Sequence, residues 1–394
     1  MKRIIYVLTV ALLLSAQVLQ GQVRLSDMAQ MSLLTCSPSE DEVFTVYGHT
    51  AIRVSDPANG IDIVFNYGIF DFSSNNFIYR FAKGKTDYKL SVYYFGGFLA
   101  EYRTRGSSVY EQIFNLTSAE KERLWEVLQI NVRPENATYR YNFFFDNCAT
   151  RPIRIIEATV DGKITYRYEP EQKTFRERIN YCMRNKPWLV FGCDLALGSP
   201  TDRVMTPAET FFLPLLLESA LDSATITSPT GEERPLVSTM RSILKEEIRP
   251  PERATVFTPL TVSWLLAALL LFITLREWKK KAYYIIVDCL LFTAAGLAGS
   301  VLFFLAFASE HPAVWPNWSV IWLHPFHLIG VILFTAKRWR RAAYYYHFIN
   351  FAALTLMLAG WYFIPQHLNA AFFPLVVCLW TRSGRSVLSS NNKV

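Results

Sequence analysis

The chain has 394 residues, enough for two domains of ordinary size, and a composition of 51% hydrophobic and 15% aromatic residues is too apolar for a purely soluble protein. Its formal net charge of +7 suits a nucleic-acid binder only if a basic amphipathic stripe carries it, and none does. Nucleic acid is therefore set aside as a partner, and the Lys and Arg clusters between C-terminal apolar runs report topology instead.

The N-terminus MKRIIYVLTVALLLSAQVLQGQ combines two basic residues, an apolar core and small or polar residues near Gly21, which predicts a signal peptide over 1–21. An uncleaved anchor would export the next segment equally well. Residues 22–224 mix polar and apolar positions and read as an exported α+β domain. Within it, 49–54 and 61–67 flank a turn of Ser, Asp, Pro, Asn and Gly, the pattern of a β-hairpin. If Val54 pairs with Ile61, Asn66 falls directly across from His49 on the same face; a slip of two residues gives that place to another group, with Asp62 the next candidate. Further on, YNFFF reads as an aromatic strand leading into Asp146, Asn147 and Cys148, with a helix beyond. Pro152 conflicts with a cap at Asn147, so the helix is expected to begin near Thr150. Thr117 with Glu120 and Thr206 with Glu209 form capping-box openings, the second starting a helix at about 207–224. Residues 225–258, rich in Pro, Thr, Ser and charge, are expected to be a linker.

Five apolar runs, at about 259–275, 282–307, 319–336, 343–364 and 367–381, approach the length that spans a bilayer. Lys and Arg follow the first (Arg276, Lys279, Lys280, Lys281), the third (Lys337, Arg338, Arg340, Arg341) and the fifth (Arg382, Arg385), whereas the alternate loops SEHPAVWPNW and PQH contain neither. The positive-inside rule then predicts a membrane domain over 259–394 with five helices, a cytoplasmic C-terminus and the 22–224 domain outside.

The His49-then-Cys148 order points to a thiol enzyme whose base precedes its nucleophile, with Asn66 orienting the imidazole. A thiol before a helix start has its thiolate favoured by free backbone N–H groups. Four exported cysteines also permit disulfides, and a short Cys182–Cys193 loop is the expected one, leaving Cys148 free. No phosphate loop, Cys-x-x-Cys pair or His-Glu-x-x-His helix occurs, so neither a cofactor nor a metal is expected. Tyr47 is a candidate oxyanion donor. Asn317, His324 and His327, costly near the outer end of a membrane helix unless they face a cavity or partner, join Trp322 as candidate substrate contacts.

The Asn-Cys motif with an upstream His resembles the permuted NlpC-type papain-like fold, which includes lecithin:retinol acyltransferase-like enzymes. More closely, LLTCSPSEDEVFTVYGHTAIRV, FNYGIFDF, FDNCATR and the helical tail containing NWSVIWLHPFHLI resemble the Lnb family of bacterial lipoprotein N-acyltransferases. That resemblance implies a permuted papain-like exported domain on a helical membrane bundle, with His49 as base and Cys148 as nucleophile. The implied activity moves a phospholipid acyl chain through a Cys148 thioester to the N-terminal amine of a diacylated lipoprotein, at the periplasmic face of the bacterial inner membrane. Two other readings fit the residues: a membrane-tethered cell-wall peptidase, and a non-enzymatic assembly protein in which Cys148 is oxidised.

Overall fold

A computed structural model describes residues 24–39, 42–70, 76–246 and 256–390. The predicted signal peptide lies outside them.

The exported domain is built on a seven-stranded antiparallel sheet of β1 (Gln30–Cys36), β2 (His49–Asp56), β3 (Ile61–Phe70), β4 (Asp87–Tyr94), β5 (Val109–Phe114), β6 (Thr138–Arg140) and β10 (Val237–Leu244), in the order β10-β5-β1-β2-β3-β4-β6. A small sheet holds β7 (Lys163–Thr165), β8 (Thr225–Thr227) and β9 (Glu233–Pro235). Successive strand residues face opposite sides, and both sides are covered. Leu33, Ile52 and Phe65 pack with Trp125 of α3 (Ser118–Asn131), Ile156 of α4 (Thr150–Thr159) and Leu217 of α7 (Pro214–Asp222). On the other side Leu34, Ala51 and Val64 pack with Phe98 and Tyr102 of α2 (Phe95–Thr104). The short helix α1 (Phe77–Ala82) joins β3 to β4, and α5 (Phe175–Cys182) and α6 (Pro187–Ala196) follow β7.

Two expectations are corrected here. Residues 225–258 are not all linker: β10 is an edge strand paired with β5, and β8 pairs with β7. Ile226 and Leu236 are fully buried, so this segment contributes core that its Pro- and Ser-rich composition conceals. The expected helix at 207–224 is divided into a 3-10 turn, Ala208–Phe212, and α7, because Pro214 lacks the N–H needed to continue the first turn into the second.

Each of the five apolar runs is helical: α8 (Pro259–Lys279), α9 (Ile285–Ala308), α10 (Phe326–Thr335, preceded by a 3-10 turn at Trp318–Ile321), α11 (Arg340–Ala359) and α12 (Phe372–Ser390). By length and composition, three segments are suited to crossing a membrane: Pro259–Lys279, Ile285–Ala308 and Trp318–Thr335. Arg382 and Arg385, read from the sequence as following the fifth run, are not free charges beyond a helix end. They lie on α12, where Arg382 is wholly buried and bonds Glu277 at 2.7 Å and Asp288 at 2.5 Å.

The exported domain is fastened to the bundle. Glu310 pairs with Lys85 at 2.9 Å and its N–H donates to the Lys83 carbonyl at 2.8 Å. Arg176, 1% exposed, bonds Asp194 at 3.1 Å, Asp202 at 2.7 Å and the carbonyls of Leu197 and Gly198. Asp194 in turn accepts from Asn369 at 2.8 Å and Asp202 from the His367 N–H at 3.2 Å. A buried charge is tolerated where every donor is used, and this one ties α5 and α6 to the outer loops of the bundle.

Candidate active site

His49 opens β2. Gly48 before it adopts φ +77°, and a Cβ there would stand 2.7 Å from the Cys36 carbonyl, so glycine permits the close start of the strand beside β1. The hairpin forms, but its register is two residues from the expected one: Val54 pairs with Ile63, not Ile61. Asp62 does not take over the orienting role; it holds Arg53 at 2.8 Å. Asn66 keeps it. A two-residue shift preserves which face a side chain occupies, and Asn66 Oδ1 reaches diagonally to His49 Nε2 at 2.6 Å. With the amide oxygen as acceptor, Nε2 carries the proton and Nδ1 is left as the basic nitrogen. Asn66 is 2% exposed. Burial lowers the His49 pKa to about 4 against the raising effect of Asn66, so the imidazole is neutral at neutral pH.

Cys148 comes from a segment that is not the expected strand. Asn142 and Asp146 bridge each other, and the Asn142 side chain accepts the Phe144 and Phe145 N–H groups at 3.1 and 3.2 Å, turning YNFFF into a tight loop. Phe143 and Phe144 are thereby turned inward against Phe212. Asn147, 2% exposed, accepts from the N–H of Ala149 at 2.8 Å and Thr150 at 2.9 Å, while its amide donates to the Phe143 and Phe212 carbonyls. Asp146 holds Arg151 and Arg154, each at 2.5 Å. The helix α4 starts at Thr150, so Pro152 occupies the first turn, where a missing N–H costs nothing. Cys148 therefore stands two residues before the first helical residue.

The hydroxyl of Thr50 donates to the Cys148 carbonyl, and the N–H groups of Thr50 and Cys148 favour the thiolate. Burial outweighs them and raises the thiol to about 11. Both groups are thus neutral at neutral pH. The described hydrogen bonds include none between His49 and the sulfur; Thr50, next in sequence to His49, makes the connection. Around the pair stand Tyr102, stacked 6.3 Å from the His49 ring, and Cys36, the strand partner of His49. Charge on Cys148 would raise the pKa of each, which marks them as its neighbours.

The other predicted residues lie elsewhere. Tyr47 donates to the Met183 sulfur at 3.3 Å and packs edge-on to Phe143 at 4.8 Å, so it is committed to the core and not to an oxyanion. Cys182 and Cys193 are free thiols, not a disulfide. Cys182 ends α5 while Cys193 lies within α6 with its sulfur 3.7 Å from Met183 Sδ, an arrangement that short spacing does not reveal. Asn317 donates to the Leu195 carbonyl at 2.9 Å and caps Ser319 at 3.0 Å, joining bundle to exported domain. His327 is occupied by Tyr346 at 2.5 Å and the Trp322 carbonyl at 3.0 Å. His324 stacks on it at 3.9 Å, and Trp322 packs on Phe372 at 5.6 Å. The Trp322 indole nitrogen and His324 Nδ1 are buried without a hydrogen-bond partner among the described residues. Sequence reasoning missed Thr50, Gly68 and Tyr139; the last two become neighbours of Cys148 only through the fold. Among the described residues no cluster of His, Cys, Asp or Glu is arranged to hold a metal.

No curated protein and no solved structure matches the chain. Two family models do: the Lnb N-terminal periplasmic domain over residues 17–181 and the Lnb transmembrane domain over residues 251–393. The two lie in order along the chain and correspond to the sheet domain with its His49, Asn66 and Cys148 and to the helical bundle, and so this membrane protein with a periplasmic domain belongs to the Lnb family.

Proposed function

We propose that this protein is a phospholipid-dependent lipoprotein N-acyltransferase of the bacterial inner membrane, with Cys148 as nucleophile, His49 as base and Asn66 as the group that orients it. The observation that carries the reading is the His49–Asn66 bond of 2.6 Å beside a half-buried thiol at a helix start, in a domain fastened to a membrane bundle. Family membership supports the same activity.

In this mechanism a phospholipid ester meets the sulfur, the neutral His49 Nδ1 accepts the thiol proton and the sulfur attacks the carbonyl. The ester C–O bond breaks, and the imidazolium returns its proton to the departing lysophospholipid. The α-amine of a diacylglyceryl-cysteine lipoprotein then attacks the thioester, its excess proton passes to His49, and the thiol is regenerated. A thiol at about 11 beside an imidazole at about 4 favours transfer concerted with attack over a standing ion pair. Hydrogen bonds to the reacting pair tighten in the substrate complex. Confinement of both substrates to one leaflet raises their effective concentration.

Purified full-length protein mixed with phospholipid vesicles should acquire a hydroxylamine-labile acyl group on Cys148, and diacylated lipopeptide should remove it by gaining that acyl mass at its N-terminal amine. Cleavage of peptidoglycan stems without an acyl-enzyme would replace the reading with a peptidase.

A further inference from the structure

We infer that Tyr139 is a catalytic residue, whose phenol donates a hydrogen bond to the oxyanion formed when Cys148 attacks an acyl carbonyl; this rests on the acyltransferase reading above. Three observations place the hydroxyl there. A Cβ built on Gly68 would lie 3.4 Å from Cys148 Cβ and 4.0 Å from the Tyr139 hydroxyl, so one glycine separates the two groups and leaves space between them. Gly68 itself has φ +92°, a conformation in which a side chain is strained. The Tyr139 hydroxyl is buried and has no hydrogen-bond partner among the described residues, in a residue only 9% exposed. A buried hydroxyl without a partner costs stability, and such a cost at a reacting centre marks a donor held for a group that arrives with substrate.

The ring is held in place. Arg151 lies over its face, with the guanidinium carbon 3.7 Å from the centroid, and Tyr67 meets it edge-on at 6.3 Å. Arg151 is in turn bonded to Asp146, two residues before the nucleophile. The phenol is therefore fixed relative to the sulfur before substrate binds, which is what electrostatic stabilisation of a transition state requires. Burial, then charge on Cys148, push the Tyr139 pKa up, opposed by Arg151, so the group is a protonated donor throughout the working range.

The step balances without further reagents. The S–C bond forms, the thiol proton passes to His49, and the carbonyl π pair becomes the oxyanion that accepts from Tyr139. On collapse that pair re-forms C=O, the ester C–O bond breaks and the alkoxide takes the proton from His49.

The test uses full-length Tyr139→Phe and wild-type protein with vesicles of phosphatidylethanolamine and phosphatidylglycerol. Three readouts are compared: acyl-enzyme formation, alkylation of Cys148 by iodoacetamide, and Tm. Loss of an oxyanion donor lowers rates by roughly 10²–10³-fold, so acylation should fall by about that factor. Alkylation, which creates no oxyanion, should be unchanged, and Tm should be equal or higher because an unpartnered hydroxyl is removed. Wild-type acylation rates in the Phe variant overturn the inference, as does an equal fall in alkylation and acylation, which would mean a structural role. A wild-type protein that never acquires an acyl group fails the acyltransferase reading itself.

Discussion

At the residue scale, the triad assignment makes unequal demands on its members. Cys148→Ser and His49→Ala remove the attacking atom and the proton acceptor and should abolish N-acylation, whereas Asn66→Ala, which water partly replaces, should retain roughly 1–10%. Rates of lipopeptide acylation check this; wild-type turnover in Cys148→Ser would end the thiol mechanism. The pH profile follows from the same burial. A base must be neutral to act, and His49 in the free protein protonates only near pH 4, below the ordinary 6.5. The acid limb of kcat/KM should therefore fall near pH 4 to 5, and an acid limb at pH 6 to 7 would contradict a desolvated imidazole. The sign for folding is the same: the unfolded chain binds the extra proton between about pH 6.5 and 4, so this stability is present above 6.5 and lost on acidification. Both His49 and Asn66 were legible because the period of two in a strand survives a two-residue slip; Asp62, offered by the slip, belongs to Arg53 instead. Tyr139 was not legible. Its proximity to Cys148 depends on β6 pairing with β4 some fifty residues away.

At the scale of elements, local chemistry was read more faithfully than long-range pairing. The Thr117–Glu120 capping box starts α3 as its residues require, and the start of α4 follows from Pro152. Composition misled where partners are distant: YNFFF carries strand-forming side chains but closes on the Asn142 amide, and β10 finds β5 more than a hundred residues away. The membrane runs predict a topology, and one set of contacts bears on the side of the membrane taken by the loop after α9. The loop after α9 bonds Lys83, Lys85 and the Phe81 carbonyl of the exported domain through Glu310 and His311, so that loop must share its compartment. A reporter active only outside the cytoplasm should work when fused after Ala313 and fail after Lys280 or Arg340. Activity at Lys280 would refute the orientation that the positive-inside rule assigns.

For the whole molecule, the proposed reaction requires that a thiol domain be aimed at a membrane-bound ester. Charge counting placed the C-terminal arginines after the fifth run at the cytoplasmic end, but Arg382 sits inside the bundle with Glu277 and Asp288, because an ion pair shared by three helices can bury what an isolated charge cannot. The corresponding device at the outer face is Arg176, whose guanidinium holds Asp194 and Asp202 while those carboxylates reach Asn369 and the His367 N–H. Removing one partner of a buried ion network costs about 3–5 kcal/mol, mostly because the remaining charges are left unpaired. Arg176→Ala should therefore loosen the joint between α6 and the outer loops without touching His49 or Cys148. Alkylation of Cys148 should stay near wild type, protease nicking within 197–203 should quicken, and acyl transfer from vesicles should fall more than reaction with a short water-soluble thioester. If vesicle and soluble substrates decline equally, Arg176 supports only the fold, and the orientation of the thiol over the bilayer depends on other contacts such as Lys85 with Glu310.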